Sequence, residues 1–262
     1  MIARSKLHRL MRVLKVLGLY RGLSYVTRAK VLKDYYAEVA LRAILHGETS
    51  PPVVLNRELV LWRNRVFHVP PVLRGDFFLH ILEELIIRKA YRFNSAHDVI
   101  IDVGGFLGES AWWFLTEGLA KKVIVFEPVY YELCVKNIGD VAEVHPHAIH
   151  WIEGKARMKI MGSASMISNE GEVEVFTKPL ASVLSRVSGH VAVKMDCEGC
   201  EESLLRTPCD LIRRADEYIV EIHPNVNTYD IINYMKRCGF GYKLKTAYWH
   251  NVAIYHFFRT SP

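Results

Sequence analysis

Residues 98–110 read DVIIDVGGFLGES, and this stretch decides the fold. Its largely apolar run at 99–103 is typical of a strand that is covered on both faces. Glycines follow directly, and a helix is expected from Glu109 onward. Glycine permits a tight turn and lets a ligand approach the backbone closely. The stretch therefore predicts a buried strand, a ligand-binding turn and a helix, which is the first unit of an α/β sheet.

Strands and helices alternate from this stretch toward the C-terminus. The predicted strands lie at 123–126, 142–150, 191–195 and 217–222, and the predicted helices at 109–117, 130–138 and 229–238. Such an alternation gives a mostly parallel sheet with helices on both faces. Residues 242–246 and 252–258 are expected to form an antiparallel pair. The sequence thus predicts a doubly wound, mostly parallel, Rossmann-like sheet with an antiparallel C-terminal strand pair.

Two helices and several short strands are predicted ahead of the glycine turn. The helices are expected at 30–46 and 76–92, and the strands within 53–69. Asp76 is the expected N-cap of the second helix. We expect residues 1–75 to form a basic, helical N-terminal segment with short strands, and residues 76–262 to form the main domain.

The basic charge is concentrated at the N-terminus. Residues 1–33 contain nine Lys or Arg and no Asp or Glu, whereas the whole chain carries a formal charge of +6. Residues 5–17 place apolar side chains at helical spacing among cations, the pattern of a basic amphipathic helix. No apolar run approaches the ~18 residues that a membrane span needs, and the N-terminus does not resemble a signal peptide. We therefore expect a cytoplasmic protein whose residues 1–33 either make peripheral contact with an anionic membrane or form a helical cap or dimer surface with a solvated basic face.

The glycine turn suits a nucleoside without phosphate better than a dinucleotide. A dinucleotide fingerprint has a second glycine where this chain has Phe106, whose side chain would obstruct a pyrophosphate. Glu127 closes the second predicted strand, and an acid there can accept both ribose hydroxyls. Asp102 is expected either to hold the turn or to act on the ligand through a water molecule. The candidate cofactor-binding residues are Asp102, Gly104, Gly105, Gly108, Glu127 and Pro128.

Polar residues also follow the later strands. Asp196 and Glu198 come directly after the strand at 191–195, and His223 follows the strand at 217–222. Open α/β sheets bind ligands at the carboxyl ends of their strands, so we expect these side chains near Glu127. Two carboxylates, or a histidine with an unperturbed pKa near ~6.5, can remove a proton from a substrate. The candidate catalytic residues are therefore Asp196, Glu198 and His223, and which of them is the base stays open.

Together these motifs resemble the FkbM family of methyltransferases. The K-x-D-x-E-G-x-E block of that family is matched at 194–201, its D-V-G-x-x-x-G turn at 102–108, its F-E-P strand end at 126–128 and its E-x-H-P strand end at 221–224. The resemblance implies S-adenosyl-L-methionine as the cofactor. It also implies O-methylation of a hydroxyl on a sugar, a glycolipid or another small molecule. Phe106 departs from the small or polar residue that is usual at its position.

Two other functions remain open at this point. An RNA methyltransferase would use the basic N-terminus to contact phosphates. The chain lacks the N-P-P-[YF] block of many base-methylating enzymes, which counts against this alternative. A non-catalytic nucleoside-binding module is the second alternative, and the polar residues gathered at several strand ends count against it.

Two further groups invite a metal or redox interpretation. Cys197 and Cys200 form a CxxC pair, and His145, His147 and His150 lie close together in sequence. Neither group has a complete set of ligands nearby in sequence. We therefore expect no metal site at either place. The odd number of five cysteines also argues against a fully paired disulfide framework.

Overall fold

The computed structural model describes residues 35–248 and 251–259 of the 262-residue chain. The chain divides into two compact units, the first ending at Ile87 and the second beginning at Arg88. The sequence predicts this boundary after residue 75 instead. The predicted amphipathic helix at 5–17 lies outside the described residues. Within the described ranges, no helix combines the length and apolar character needed to cross a bilayer.

The first unit contains a small antiparallel sheet and several helical segments. Its elements are α1 (Tyr35–Leu45), β1 (Val53–Val54), β2 (Leu59–Trp62), β3 (Arg65–His68), a 3-10 helix (Pro71–Leu73), α2 (Arg74–Leu79) and a π-helix (His80–Ile87). The strands pair in the order β1-β2-β3. The ring of Phe67 on β3 contacts that of Phe77 on α2, with centroids 5.3 Å apart. This contact joins α2 to the sheet, which explains why the unit extends beyond residue 75. Helix α2 begins at Arg74, so Asp76 lies in its first turn and the predicted N-cap is wrong.

The second unit has alternating strands and helices. Its strands are β4 (His97–Val103), β5 (Ala120–Phe126), β6 (Glu143–His145), β7 (His147–His150), β8 (Gly154–Lys159), β9 (Met166–Ile167), β10 (Val173–Pro179), β11 (Val191–Met195), β12 (Glu217–Ile222), β13 (Phe240–Ala247) and β14 (Ala253–Arg259). Its helices are α3 (Glu109–Thr116), α4 (Tyr131–Ile138), α5 (Leu180–Leu184), a 3-10 helix (Cys200–Arg206), α6 (Cys209–Ile212) and α7 (Thr228–Arg237).

The main sheet of this unit is mixed. Its seven strands follow the order β13-β14-β12-β11-β4-β5-β6. Strands β12, β11, β4, β5 and β6 pair in parallel, whereas β14 is antiparallel to both β12 and β13. The unit is therefore an α/β fold with a mixed sheet, and the predicted antiparallel C-terminal pair is confirmed in β13 and β14.

The predicted strand at 142–150 is divided between two sheets. Strand β6 belongs to the main sheet, whereas β7 belongs to a second sheet of order β7-β10-β8-β9. Pro146 separates the two strands. Proline has no backbone N–H and cannot donate to a strand ladder, so a continuous strand is disfavoured at this point.

The carboxyl ends of the central strands lie side by side. Val103 at the end of β4 is paired with Phe126 on β5 and with Met195 on β11. Met195 is paired in turn with Val220 on β12. Every residue of β11 and β12 is buried, including the charged Lys194, Glu217 and Glu221. The residues that follow β4, β5, β11 and β12 are consequently brought to one edge of the sheet.

Candidate active site

The glycine turn after β4 is shaped by the end of β11. Gly104 adopts a left-handed backbone conformation with φ +79°, and the place of a β-carbon on it is filled by the backbone carbonyl of Asp196. The Asp196 N–H donates to the carbonyl of Val103 at 3.1 Å, and Lys194 Nζ donates to the carbonyl of Gly104 at 2.7 Å. Only glycine fits this close approach without displacing backbone. The first glycine of the motif thus has a structural reason that does not involve a ligand.

The other two glycines of the motif allow close packing against neighbouring elements. A β-carbon on Gly105 would overlap the side chain of Val125 on β5. Gly108 has φ +95° at the start of α3, and a β-carbon there would lie 2.7 Å from Ile138 on α4. The turn therefore lies tightly against β5 and α4.

Asp102 lies beneath the turn. Its side chain is fully buried, and its Oδ2 accepts a hydrogen bond from the Ser110 hydroxyl at 2.5 Å. Its Oδ1 lies 3.2 Å from Lys194 Nζ. Of the two roles expected from the sequence, these contacts favour holding the turn over reaching a ligand through water.

Glu127 is fixed by the backbone at the carboxyl end of β5. Its Oε2 accepts from the N–H of Phe106 at 2.9 Å, and its Oε1 accepts from the N–H groups of Val129 at 2.8 Å and Tyr130 at 2.9 Å. Burial raises the pKa of Glu127 to about 7, although these N–H groups oppose the shift. A carboxylate has about four acceptor sites. Three are used by backbone N–H groups, which leaves capacity for about one further donor.

Two aromatic rings meet beside Glu127. The ring of Phe106 is buried and packs edge-to-face on that of Tyr130, with centroids 5.2 Å apart. Phe106 has φ +48°, a conformation uncommon for a bulky residue. Pro128, also predicted to lie in this site, is half-buried in the same loop between β5 and α4.

The predicted catalytic residues converge on one imidazole. His223 is 5% exposed, and its Nδ1 lies 2.9 Å from Oε1 of Glu201. Its Nε2 lies 3.4 Å from Oε2 of Glu198 and 3.8 Å from Oε1 of Glu221. Glu201, the last acid of the K-x-D-x-E-G-x-E block, therefore binds this histidine. Asp196, Glu198 and His223 are brought together as predicted.

Sequence reasoning missed Tyr91. This tyrosine is fully buried, and its hydroxyl lies 3.0 Å from Oδ2 of Asp196 and 2.7 Å from Oε2 of Glu221. Lys194 Nζ lies 3.6 Å from the same Oδ2 of Asp196. Tyr91 precedes all of the recognised motifs, so no spacing pattern could have identified it. The E-x-H-P motif did contain Glu221, but only the fold reveals its contact with Tyr91.

The protonation of His223 differs from the expectation. Burial alone would lower the pKa of this imidazole. Hydrogen bonds to Glu198 and Glu201 and the charges of Glu201 and Asp196 outweigh burial and raise the pKa to about 11. His223 is thus an imidazolium at neutral pH, and in that state it cannot accept a proton.

The CxxC pair lies in the loop that carries Glu198. Cys197 and Cys200 are joined by a disulfide, which removes both from consideration as metal ligands in this state. Glu198 and Gly199 between them both have positive φ, +56° and +114°. A second disulfide joins Cys209 to Cys238, and Cys134 is buried with a free thiol. Four of the five cysteines are therefore paired and one is free, so the framework is not fully paired, in agreement with the odd count.

His145 and His150 have different polar partners, and the ring of His147 lies 6.4 Å from those of His145 and Phe176. His145 Nε2 lies 2.8 Å from Oε1 of Glu143, and its ring stacks on Phe126. His150 Nδ1 accepts from the N–H of Ile152 at 3.2 Å. His145 and His147 lie on strands that belong to different sheets, β6 and β7.

A protein-family model matches much of the second unit. The model describes the methyltransferase FkbM domain, and it matches residues 96–242. The matched region contains the glycine turn, Glu127, the loop after β11 and His223. A search of curated proteins gave no significant match.

Several solved structures are similar in fold. The crystal structure of a methyltransferase FkbM from Methylobacillus flagellatus KT is 15% identical, with a TM-score of 0.49, covering 89% of this chain and 58% of that one. A protein of the NADB-Rossmann superfamily from Streptococcus agalactiae is 12% identical, with a TM-score of 0.42, covering 68% and 70%. M. capricolum TrmK, in complex with S-adenosyl-homocysteine, is 10% identical, with a TM-score of 0.37, covering 65% and 66%. The chain spans less than two thirds of the Methylobacillus protein.

Proposed function

The chain belongs to the FkbM family of methyltransferases, and on this premise we propose that it transfers a methyl group from S-adenosyl-L-methionine to a hydroxyl of a sugar, a glycolipid or another small molecule. One observation carries the proposal. The parallel strands β5, β4, β11 and β12 end side by side in that order, so that the buried Glu127 and a cluster of carboxylates around His223 lie at one edge of the sheet. A nucleoside site and a proton-accepting site are needed together for this reaction.

The cofactor would be held by the glycine turn and Glu127. Glu127 is fixed by three backbone N–H groups, and its remaining acceptor capacity suits a ribose hydroxyl. Tyr130, which packs edge-to-face on the buried Phe106, places half-buried aromatic surface beside this carboxylate, where a purine can pack. Asp102 would act indirectly, by holding the turn through Ser110. When bound, the cofactor supplies a methyl group attached to a positively charged sulfur.

The acceptor hydroxyl must lose its proton as the new bond forms. Asp196 and Glu198 are the carboxylates proposed to receive it, because each is only half-buried at the sheet edge. Tyr91 and Lys194 orient Asp196, and His223 orients Glu198. As an imidazolium, His223 stabilises the ionised carboxylates rather than acting as the base in this state. Alignment of the hydroxyl with the methyl carbon supplies much of the rate enhancement.

A transfer assay tests this function. The full chain is incubated with S-adenosyl-L-methionine labelled in the methyl group and with separate lipid, glycan and RNA extracts. Label in a glycan or lipid fraction that resists mild base supports methylation of a hydroxyl. Label in RNA alone would reject the proposed acceptor class in favour of the RNA alternative. No label in any fraction, together with no calorimetric binding of the cofactor, would contradict the function itself.

We further propose that residues 1–33 bring the enzyme to an anionic membrane that carries its acceptor. The support is their nine cations without an acid and their apolar side chains at helical spacing. Co-sedimentation with vesicles containing anionic lipid should be lost when residues 1–33 are deleted. Retention of RNA with a steep salt dependence, without vesicle binding, would favour the RNA alternative.

A further inference from the structure

We propose that Asp196, Glu221 and His223 form a binding site for a divalent cation at the carboxyl edge of the main sheet. The ligand atoms of these three residues all lie within 4.8 Å of one another. Glu221 and His223 are buried, with 8% and 5% of their surface exposed, and Asp196 is half-buried. Two carboxylate oxygens and one imidazole nitrogen are a suitable donor set for a hard or borderline divalent metal ion.

The side chains around the site fix the three ligands in place. Tyr91 donates its hydroxyl toward Oε2 of Glu221 and Oδ2 of Asp196, at 2.7 and 3.0 Å. The other oxygen of Glu221, Oε1, is the one that faces Nε2 of His223, at 3.8 Å. A separation of 3.8 Å is too long for a hydrogen bond. It suits two atoms that bind one metal ion, since each ligand lies about 2.0–2.2 Å from a small divalent cation.

Glu201 supplies an independent observation. Metal-bound histidines almost always donate their other ring N–H to a carboxylate or carbonyl, which fixes the ring and its tautomer. Glu201 accepts from Nδ1 of His223 at 2.9 Å, on the opposite side of the ring from Nε2. Glu201 is fully buried, and its second oxygen, Oε2, has no hydrogen-bond partner among the described residues. A buried carboxylate that is only partly satisfied favours a compensating positive charge close by.

The excess of carboxylates around His223 also favours a bound cation. Four carboxylates surround the imidazole, from Asp196, Glu198, Glu201 and Glu221. The neighbouring Lys194 is shared between Asp196 and the buried Asp102. A dication bound by Nε2 would replace the proton on that nitrogen and add one further positive charge. The negative charge of the four carboxylates is thus more fully compensated, without a change in the fold.

The role of this cation rests on the proposed function, although its binding does not. An acceptor hydroxyl that coordinates the metal ion has a lowered pKa. Its proton passes to Glu198, which stands 3.4 Å from Nε2 of His223. The oxygen then forms a bond to the methyl carbon, while the carbon–sulfur bond breaks and its electron pair remains on sulfur. Atoms and charge balance without another reactant.

Titration with Mn²⁺ tests the site. The full chain with its disulfides intact is freed of metal by chelation and titrated with Mn²⁺, and the free ion is followed by electron paramagnetic resonance. We expect one bound Mn²⁺ per chain. Glu221→Gln and His223→Gln should weaken binding more than tenfold, and Glu201→Gln by ten- to hundredfold. Glu202→Gln is the matched control and should leave the affinity within twofold, because Glu202 pairs with Arg206 instead.

A measurement on the unmodified protein guards against variants that fail to fold. Bound Mn²⁺ should broaden the ring resonances of His223 before those of His145 and His147, which lie in other contacts. Absence of binding for Mn²⁺, Mg²⁺ and Zn²⁺ alike would overturn the proposal, as would equal broadening of all three histidines. Mn²⁺ binding, together with no methyl transfer to any extract and no binding of the cofactor, would support the cation site and reject the proposed function. Methyl transfer that survives chelation, together with no Mn²⁺ binding, would reject the cation site and support the proposed function.

Discussion

The backbone carbonyl of Asp196 occupies the position that a β-carbon on Gly104 would take. These two residues belong to motifs more than 90 positions apart in sequence, yet the end of β4 and the end of β11 are in direct contact. The contact is maintained by Lys194, which donates to the carbonyl of Gly104, and by the N–H of Asp196, which donates to Val103. The glycine turn after β4 and the loop after β11 are therefore held together by direct backbone contact.

Gly104→Ala should consequently damage the fold, and Gly118→Ala should not. Both glycines have positive φ, +79° and +66°, so alanine pays a similar backbone cost of about 1–2 kcal/mol at each. A β-carbon at Gly118 meets nothing within 4 Å, whereas at Gly104 it displaces the chain at Asp196. We expect Gly104→Ala to lose more than about 4 kcal/mol of unfolding free energy. Urea denaturation of both variants measures the difference, and equal losses would show that φ alone explains this glycine.

The two disulfides should differ in their contribution to stability. Cys209 and Cys238 are 29 positions apart, whereas Cys197 and Cys200 are three apart. Closing the longer loop restricts the unfolded chain more, by about 3–4 kcal/mol against about 2 kcal/mol. Replacing Cys209 and Cys238 by serine should lower the melting temperature more than replacing Cys197 and Cys200. Calorimetric scans of the two double variants compare them, and a larger loss for the short loop would contradict this entropic account.

The strand ends could be predicted from sequence because they follow from local patterns. The apolar runs of β11 and β12 stop at Asp196 and near His223, and the structure gives both strands the predicted bounds. The division at Pro146 is not predicted, because the pattern at 142–150 indicates one continuous strand although proline disfavours a ladder at that point. Local pattern thus located every carboxylate and histidine proposed for catalysis.

What those residues contact could not be predicted. Tyr91 meets Asp196 across 105 positions, and Glu201 meets His223 across 22. The pKa of His223 rises because the fold gathers several carboxylates around one ring, whereas its isolated value suggested a base. No periodicity encodes these distances, because they arise only when four strand ends are brought to one edge.

Tyr91→Phe should reduce turnover without loss of cofactor affinity. The change removes the hydroxyl that orients Asp196 and Glu221, and we expect kcat to fall about ten- to hundredfold, as for other residues that position a reacting group. Tyr218→Phe is a matched control, since Tyr218 is equally buried but donates to the carbonyl of Ile212. Each variant should cost about 1 kcal/mol of stability. Steady-state kinetics and binding of S-adenosyl-L-homocysteine are measured for both variants. Equal kcat values would show that Tyr91 has no role in the proposed site.

Cofactor affinity should rise with pH through the pKa of Glu127. Burial raises this pKa to about 7, so a larger fraction of the side chain is ionised at pH 8 than at pH 6. Only the carboxylate accepts a ribose hydroxyl with full charge assistance. We expect S-adenosyl-L-homocysteine to bind up to about tenfold more weakly at pH 6 than at pH 8, since one pKa unit corresponds to 1.36 kcal/mol.

Calorimetric titrations at pH 6, 7 and 8 measure this dependence. Glu127→Gln should bind weakly at each pH and lose the slope, because its amide does not titrate in this range. Glu143→Gln, on the neighbouring strand β6, should retain the slope, because Glu143 pairs with Lys122 and His145. An unchanged affinity across this range in the unmodified protein would mean that the ribose is bound elsewhere, and the acid that ends β5 would then have only the structural role given by its three backbone hydrogen bonds.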